Sequence, residues 1–247
     1  MSRQIIGGLH SVKASLKHAG KVSALWVDKE RRDRRLRDLI SAAKAEGIKP
    51  HQVSKEELDR MLPNSNHQGV VAEIEGAAAG NEHTLEQLLN ELEEAPFLLI
   101  LDGVQDPHNL GACLRSANAA GVHAVIAPKD KSVGLTPVAV KVASGAAENT
   151  PFIQVTNLAR TMKKIADDFA IWSIGLAGEA DTSLYDADLK GPLALVMGSE
   201  GDGMRRLTRE NCDLLASLPM KGDVESLNVS VAAGITLFEA LRQRGSD

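Results

Sequence analysis

A chain of 247 residues with 43% hydrophobic content can bury a sizeable core, as one large domain or two small ones, and no run approaches the ~20 apolar residues that span a bilayer. Its two cysteines, Cys113 and Cys212, form no Cys-x-x-Cys pair, which argues against a disulfide scaffold or structural zinc and leaves both as core thiols. The net charge of −5 hides an asymmetry, because residues 1–76 hold 14 basic against 10 acidic side chains and residues 77–247 hold 14 against 23.

Met1 to Gln4 leads straight into Ile-Ile-Gly-Gly without a secretory signal pattern, so a soluble, cytoplasmic protein is expected. An apolar strand over Ala24 to Val27, a charged helix around Arg32 to Glu46 ending at Gly47, and an alternating strand over Gly69 to Ile74 read as a small α/β unit, residues 1–76. Its basic run Arg31, Arg32, Arg34, Arg35 and Arg37 is suited to nucleic-acid phosphates and equally to a solvated helix face. Residues 77–95, with Gly80, Glu82, Glu86, Glu91, Glu93 and Glu94 before Pro96, read as a linker with some helix.

From residue 96 to 247 short apolar runs alternate with helical patterns: Phe97 to Leu101, Ala124 to Ala127, Phe152 to Val155, Ile171 to Leu176, Leu193 to Met197 and Leu215 to Leu218. This alternation predicts an α/β domain with a mostly parallel sheet covered on both faces, and places ligands in the loops at the strands' carboxyl ends.

Three of those loops carry polar groups. After the first strand, Asp102 to Asn118 contains Pro107, which ends a turn, and Asn109, which could cap a helix running to Gly121. Leu110, Leu114 and Ala117 share the face toward the sheet; Arg115 points roughly 140° from Leu110, beside Gly111, and the pair suggests a groove holding a cation. Spacing alone leaves a simple cap and a surface charge standing beside that reading. The second loop, Gly198-Ser-Glu-Gly-Asp-Gly203, has the glycine density that lets backbone approach a ligand, and Glu200 within it. Its glycine order and its place after the fifth strand disfavour a nicotinamide dinucleotide. In the third, Ser226 or Asn228 opens an apolar helix through Leu241, either as a cap or as an anion-holding helix end.

Asp106 and His108 near Cys113 lack the further ligands of a metal site, so no metal is expected. No nucleophile elbow, Walker loop or His-Glu-x-x-His is present, which removes the common hydrolase and nucleotide-triphosphatase readings.

In order, Asn109-Leu-Gly-Ala-Cys-Leu-Arg-Ser-Ala, Leu195-Val-Met-Gly-Ser-Glu-Gly-Asp-Gly-Met204 and Ser226-Leu-Asn-Val-Ser-Val-Ala resemble the three motifs of the SpoU family of SPOUT RNA 2′-O-ribose methyltransferases. Gly7-Gly-Leu-His-Ser-Val and His67-Gln-Gly-Val resemble the ribosomal-protein-like substrate-binding domain attached to members that act on 23S ribosomal RNA. The resemblance implies a C-terminal trefoil knot, which connection rules would not suggest. It also implies S-adenosyl-L-methionine held by Gly198, Leu218, Met220 and Leu227, and a catalytic set of Asn109, Arg115, Glu200, Ser226 and Asn228. The implied reaction is 2′-O-methylation of a guanosine of 23S ribosomal RNA, in the peptidyl-transferase region, by a homodimer with no DNA or membrane partner. Relatives sharing the motifs also modify transfer RNA, and a non-catalytic RNA-binding factor would keep the knot. The amino-terminal domain argues against the first, and intact Asn109, Arg115, Glu200 and Asn228 against the second.

Overall fold

The computed structural model describes residues 3–16, 22–63, 66–75 and 78–245. Contacts divide the chain into two compact units, Met1–Ala78 and Ala79–Asp247. Ala77, the first residue read as linker, lies outside the described residues.

The first unit runs β1 (Arg3–Gly7), α1 (Leu9–Leu16), β2 (Val22–Asp28), α2 (Arg34–Ala45), β3 (Pro50–Val53), α3 (Lys55–Met61) and β4 (Val70–Glu75). Its four-stranded sheet has the order β1-β4-β2-β3, with β2 and β3 parallel and β4 antiparallel to both neighbours. Asp33 caps α2 by accepting from the Leu36 main-chain N–H, and the helix buries Leu36, Leu39 and Ala43 against Leu25, Val27, Val70 and Ala72. Ser54 and Glu57 close a reciprocal capping box on α3. Within the basic run Arg31 is structural: it bonds the Asp33 carboxylate and the Gln68 carbonyl, next to Gly69, whose φ of +68° favours glycine. Arg32, Arg34, Arg35 and Arg37 are exposed, and among the described residues only Arg34 of these has an ion-pair partner, Asp38 at 3.9 Å.

The second unit opens with α4 (Glu82–Glu91), capped by Asn81. Leu85 and Leu89 of this helix sit in the core, so much of the segment read as linker is an integral layer of the unit. Then follow β5 (Phe97–Asp102), α5 (Pro107–Ala119), β6 (Ala124–Pro128), α6 (Pro137–Ala143), α7 (Ala146–Asn149), β7 (Phe152–Val155), α8 (Leu158–Phe169), β8 (Trp172–Leu176) and β9 (Thr182–Ser183). The chain ends with β10 (Leu193–Gly198), α9 (Arg206–Glu210), β11 (Leu214–Ser217) and α10 (Val229–Arg244). All six strand pairs are parallel, in the order β7-β6-β5-β10-β8-β11-β9. Every residue of β5 and β6 is buried, as strands covered on both faces require. Leu98, Ile100, Ala194 and Val196 meet α4 and α8 on one face; their alternates Leu99, Leu101, Leu195 and Met197 face the side where α10 packs on α5 and β10. Strands run outward from β5 through β6 to β7, then resume on its other side with β8 and β10. The loops after β5 and β10 therefore emerge side by side where the order reverses, the usual place for a ligand in an open parallel sheet.

Candidate active site

The carboxyl end of β5 leads into α5, and its cap is Asp106, whose side chain accepts from the His108 N–H while Pro107 takes the first helical position. The expected cap, Asn109, is instead inside the first turn and 8% exposed. A better cap three residues upstream frees its amide for tertiary bonding. Gly111 also has a different reason from the one its spacing suggested. A Cβ there would lie 2.6 Å from the Ala139 carbonyl oxygen and 2.6 Å from the Val142 Cβ, so the glycine lets α6 cross α5 closely, and the space it leaves is taken by α6.

After β10 the chain makes a closed loop: Ser199 N–H donates to the Gly203 carbonyl at 3.0 Å and Gly203 N–H to the Ser199 carbonyl at 3.1 Å. Glu200 sits at its tip. A Cβ at Gly198 would be 2.2 Å from the Gly203 carbonyl carbon and 2.3 Å from the Met204 nitrogen. The space that glycine leaves at 198 is thus filled by the loop's own backbone, where the sequence suggested room for a ligand.

The third segment supplies Asn228, the cap of α10. Its Oδ1 accepts from the Ser230 N–H at 2.9 Å, and its Nδ2 donates to Asn109 Oδ1 at 3.0 Å and to Glu200 Oε1 at 2.7 Å. Asn109 Nδ2 donates to the same Glu200 oxygen at 3.1 Å. Residues 109, 200 and 228 therefore close a three-membered ring of bonds at the mouths of three loops. Charge-assisted bonds from two amides to one carboxylate fix its orientation.

Beside this ring lies a cleft of about 320 Å³ that includes Gly198, Glu200, Ser226, Leu227 and Asn228 among its walls. Leu176, Met197, Val229 and Ala232 give it apolar sides, and Ser199, Gly201 and Gly203 line it from the loop. Apolar walls with a few convergent polar groups suit a small ligand that is part hydrocarbon and part polar. Leu218 and Met220, both half-buried after β11, are not among the lining residues. Arg115 is exposed and, among the described residues, has no hydrogen bond or ion pair. It lies six residues beyond Asn109 along α5, about 9 Å at 1.5 Å per residue, and the tilt of helical side chains carries its guanidinium back toward the helix start. A second cavity, about 240 Å³ between α4 and α8, contains the Glu86–Lys164 ion pair among apolar side chains and none of the three-loop ring.

Among the described residues no group of three or more His, Cys, Asp or Glu is placed to hold a metal ion. Both thiols are pushed up to about 12, Cys113 by burial and Cys212 by burial reinforced by the Asp213 and Asp102 carboxylates, so neither is a nucleophile near neutral pH.

Residues 96–238 match the SpoU rRNA Methylase family, and residues 5–79 match the family of RNA 2′-O ribose methyltransferase substrate binding domains. The chain belongs to the SpoU rRNA methylase family. Its SpoU relatives include proteins named 23S rRNA (guanosine-2′-O-)-methyltransferase RlmB: 56% identical over 245 residues in Shewanella oneidensis, covering 99% of each chain, and 53% over 242 residues in Escherichia coli K12, covering 98% of this chain and 99% of the relative. Among solved structures, the SpoU methyltransferase AviRb from Streptomyces viridochromogenes, in complex with AdoMet, superposes with a TM-score of 0.81 at 25% identity, over 99% of this chain and 92% of that one. A TrmH/SpoU tRNA modifying enzyme from A. aeolicus matches 66% of this chain and 84% of its own, with a TM-score of 0.56 at 27% identity.

Of the apolar walls of the SpoU cleft, Leu227 was marked in the sequence, and Leu176, Met197, Val229 and Ala232 were not. Nothing distinguishes Leu176 from the rest of β8 until the sheet order sets β8 against β10. Met197 and Val229 read as ordinary core residues, and they are also that.

Proposed function

We propose that this chain transfers the methyl group of S-adenosylmethionine to the ribose 2′-hydroxyl of a guanosine in 23S ribosomal RNA. The observation that carries this reading is the ring joining Asn109, Glu200 and Asn228 beside a part-apolar cleft, in a chain over half identical, end to end, to the RlmB proteins. The cleft fits a nucleoside sulfonium: Leu176, Met197 and Leu227 can enclose apolar surface while the Gly198 to Gly203 loop and the start of α10 offer main-chain groups, with Leu218 and Met220 completing the holding set from the chain after β11. When bound, the cofactor supplies an electrophilic methyl carbon on a sulfonium.

A ribose hydroxyl is a poor nucleophile at neutral pH, so the protein must hold it in line and stabilise the charge that develops on its oxygen. Arg115, with its planar fork of guanidinium donors, is assigned the RNA phosphate and the developing alkoxide. Glu200, fixed by two amides, orients the ribose together with Asn109, Asn228 and Ser226. The test is mass spectrometry of ribosomal and transfer RNA from a strain lacking this chain. One 2′-O-methylguanosine should vanish from 23S RNA and return on complementation; loss from transfer RNA alone would defeat the reading.

The first unit is assigned RNA recruitment, as residues 1–76, ahead of a catalytic domain at 96–247, and the exposed arginines 32, 34, 35 and 37 support it. A protein beginning at Ala79, which keeps Leu85 and Leu89 in the core, should bind S-adenosylmethionine with near-native affinity by calorimetric titration. The same protein should methylate 23S RNA at under about a tenth of the native rate, given how strongly phosphate contacts set RNA affinity. Full-rate modification of the same nucleotide would remove that role from the first unit.

A homodimer is also proposed. Val231, Phe238 and Leu241 of α10 are half or more than a third exposed and recur at the spacing of one helix face, an apolar stripe in need of a partner. The return of α10 onto α5 and β10 after β11 supports the trefoil knot of the family. No described helix is long and apolar enough to cross a membrane, and a cytoplasmic location is proposed with the ribosomal substrate.

A further inference from the structure

Asp102 ends β5, a strand otherwise made of Phe, Leu and Ile, and its side chain has no exposed surface. A carboxylate at that depth is costly to bury unless it is paired and hydrogen-bonded. Among the described residues its donors all belong to Arg205. The Arg205 main-chain N–H reaches Oδ2 at 2.8 Å, Nε reaches Oδ1 at 2.6 Å, and a terminal guanidinium nitrogen lies 2.5 Å from Oδ1.

Arg205 lies two residues beyond the Gly203 end of the loop that carries Glu200, and Asp102 stands opposite Gly198, the residue that opens this loop, in the β5–β10 ladder. The loop is thus tied at its entry by the Asp102 backbone and at its exit by the Asp102 side chain. Between those ties Gly201 and Gly203 hold φ values of +87° and +67°, and the Ser199–Gly203 bonds close the turn, so a free loop would have wide conformational choice. In the other direction Asp102 leads through Gly103, where a Cβ would lie 3.6 Å from the Ser199 Cβ, to the cap of α5 and Asn109. One buried acid therefore joins the segment bearing Asn109 to the loop bearing Glu200, whose side chains meet at 3.1 Å.

We propose that Asp102, acting through Arg205, is a positioning residue that holds Glu200 in the catalytic ring. The inference rests on the methyltransferase reading above. Its test compares Asp102→Asn, Arg205→Gln, Arg205→Lys and the Asp102→Asn/Arg205→Gln double variant in single-turnover methylation at saturating cofactor and RNA, well below the lowest melting temperature. Cofactor affinity and the RNA concentration for half-maximal rate are measured on the same preparations.

Small displacements of a catalytic group cost up to 10²-fold, so Asp102→Asn and Arg205→Gln should each lower the saturated rate by roughly 10- to 100-fold. Cofactor and RNA affinities should stay within about threefold, the signature of a loss confined to the bound state. Lysine at 205 should recover part of the lost rate, and the double variant should be no slower than the slower single one, as groups acting as a unit behave. A merely stabilising pair would lower melting temperatures and leave these rates unchanged, and that result would overturn the proposal. So would a weakened RNA affinity with an unchanged saturated rate, which would make the 44% exposed Arg205 side chain an RNA contact. If Asp102→Asn does not fold, the two Arg205 variants decide alone. Absence of RNA methylation by the native protein would instead defeat the methyltransferase reading.

Discussion

Arg115→Ala should lose methyl transfer by roughly 10² to 10³ in single-turnover rate, the usual cost of removing one preorganised electrostatic stabiliser, and more where positioning is lost as well. Cofactor affinity should stay within a few-fold of native, because Arg115 is not among the residues that line the cleft. The fold should also be indifferent. Arg115 is exposed and free of hydrogen bonds and ion pairs among the described residues, and surface substitutions of that kind change stability by no more than about 0.5 kcal/mol. An arginine with no structural partner, two turns along the helix whose first turn holds Asn109, is available to an incoming phosphate and hydroxyl. Lysine should rescue little: it keeps the charge but lacks the planar fork that can engage both oxygens together. The assay is single-turnover transfer of labelled methyl, with cofactor titration and thermal melts on the same preparations. Near-native turnover in the alanine enzyme would reduce Arg115 to a surface charge and end the mechanism.

The sequence made the catalytic unit legible because periodicity and strand burial agree there. Six apolar runs correspond to β5, β6, β7, β8, β10 and β11 within a residue or two, since buried parallel strands are continuous hydrophobic stretches bounded by turns. The two-residue β9 escaped because so short a strand has no pattern. In the first unit β1, α1, β3 and the capped α3 were missed. β3 is a four-residue edge strand, Pro-His-Gln-Val, with half its side chains in solvent, so its alternation carries no apolar signal. The polar ring could be named from motif likeness, but its geometry could not. Asn109 as a cap was a fair reading of local chemistry that failed because Asp106 competes for the same helix end and wins. Asn228 serves as cap and ring member at once, because an amide has an acceptor for the Ser230 N–H and two donors left over. Glycine was the hardest to read. At 111 and 198 the sequence reports only that a Cβ is missing, and the partner that needs the space, a crossing helix in one case and a returning backbone in the other, is a tertiary fact.

That distinction at position 198 has a large and measurable consequence. If glycine there served only to leave room for the cofactor, alanine would be nearly harmless and valine would act by blocking the ligand. The geometry instead requires that any side chain displace the Gly203 carbonyl carbon and the Met204 nitrogen, 2.2 and 2.3 Å from the Cβ position, and backbone atoms cannot swing aside as a flexible side chain would. Relief comes only by opening the Ser199–Gly203 turn, which carries Glu200 away from Asn109 and Asn228 and withdraws Ser199, Gly201 and Gly203 from the cleft wall. Gly198→Ala should therefore already be damaging and Gly198→Val more so. Overpacking of this kind costs about 1–3 kcal/mol, and for a chain of this size each kcal/mol lowers the melting temperature by roughly 2–4 °C, so a fall on the order of 5 °C is expected for alanine. Cofactor binding should weaken by at least about 100-fold, so that a concentration giving about 2.7 kcal/mol of stabilisation to the native protein, 100 times its dissociation constant, adds almost none to the variant. Melting curves for both variants, with and without S-adenosylmethionine, separate the two accounts. An alanine enzyme that melts with the native protein and is stabilised equally by cofactor would show that the loop yields to a side chain at 198, and the closed turn could no longer be what holds Glu200 in place.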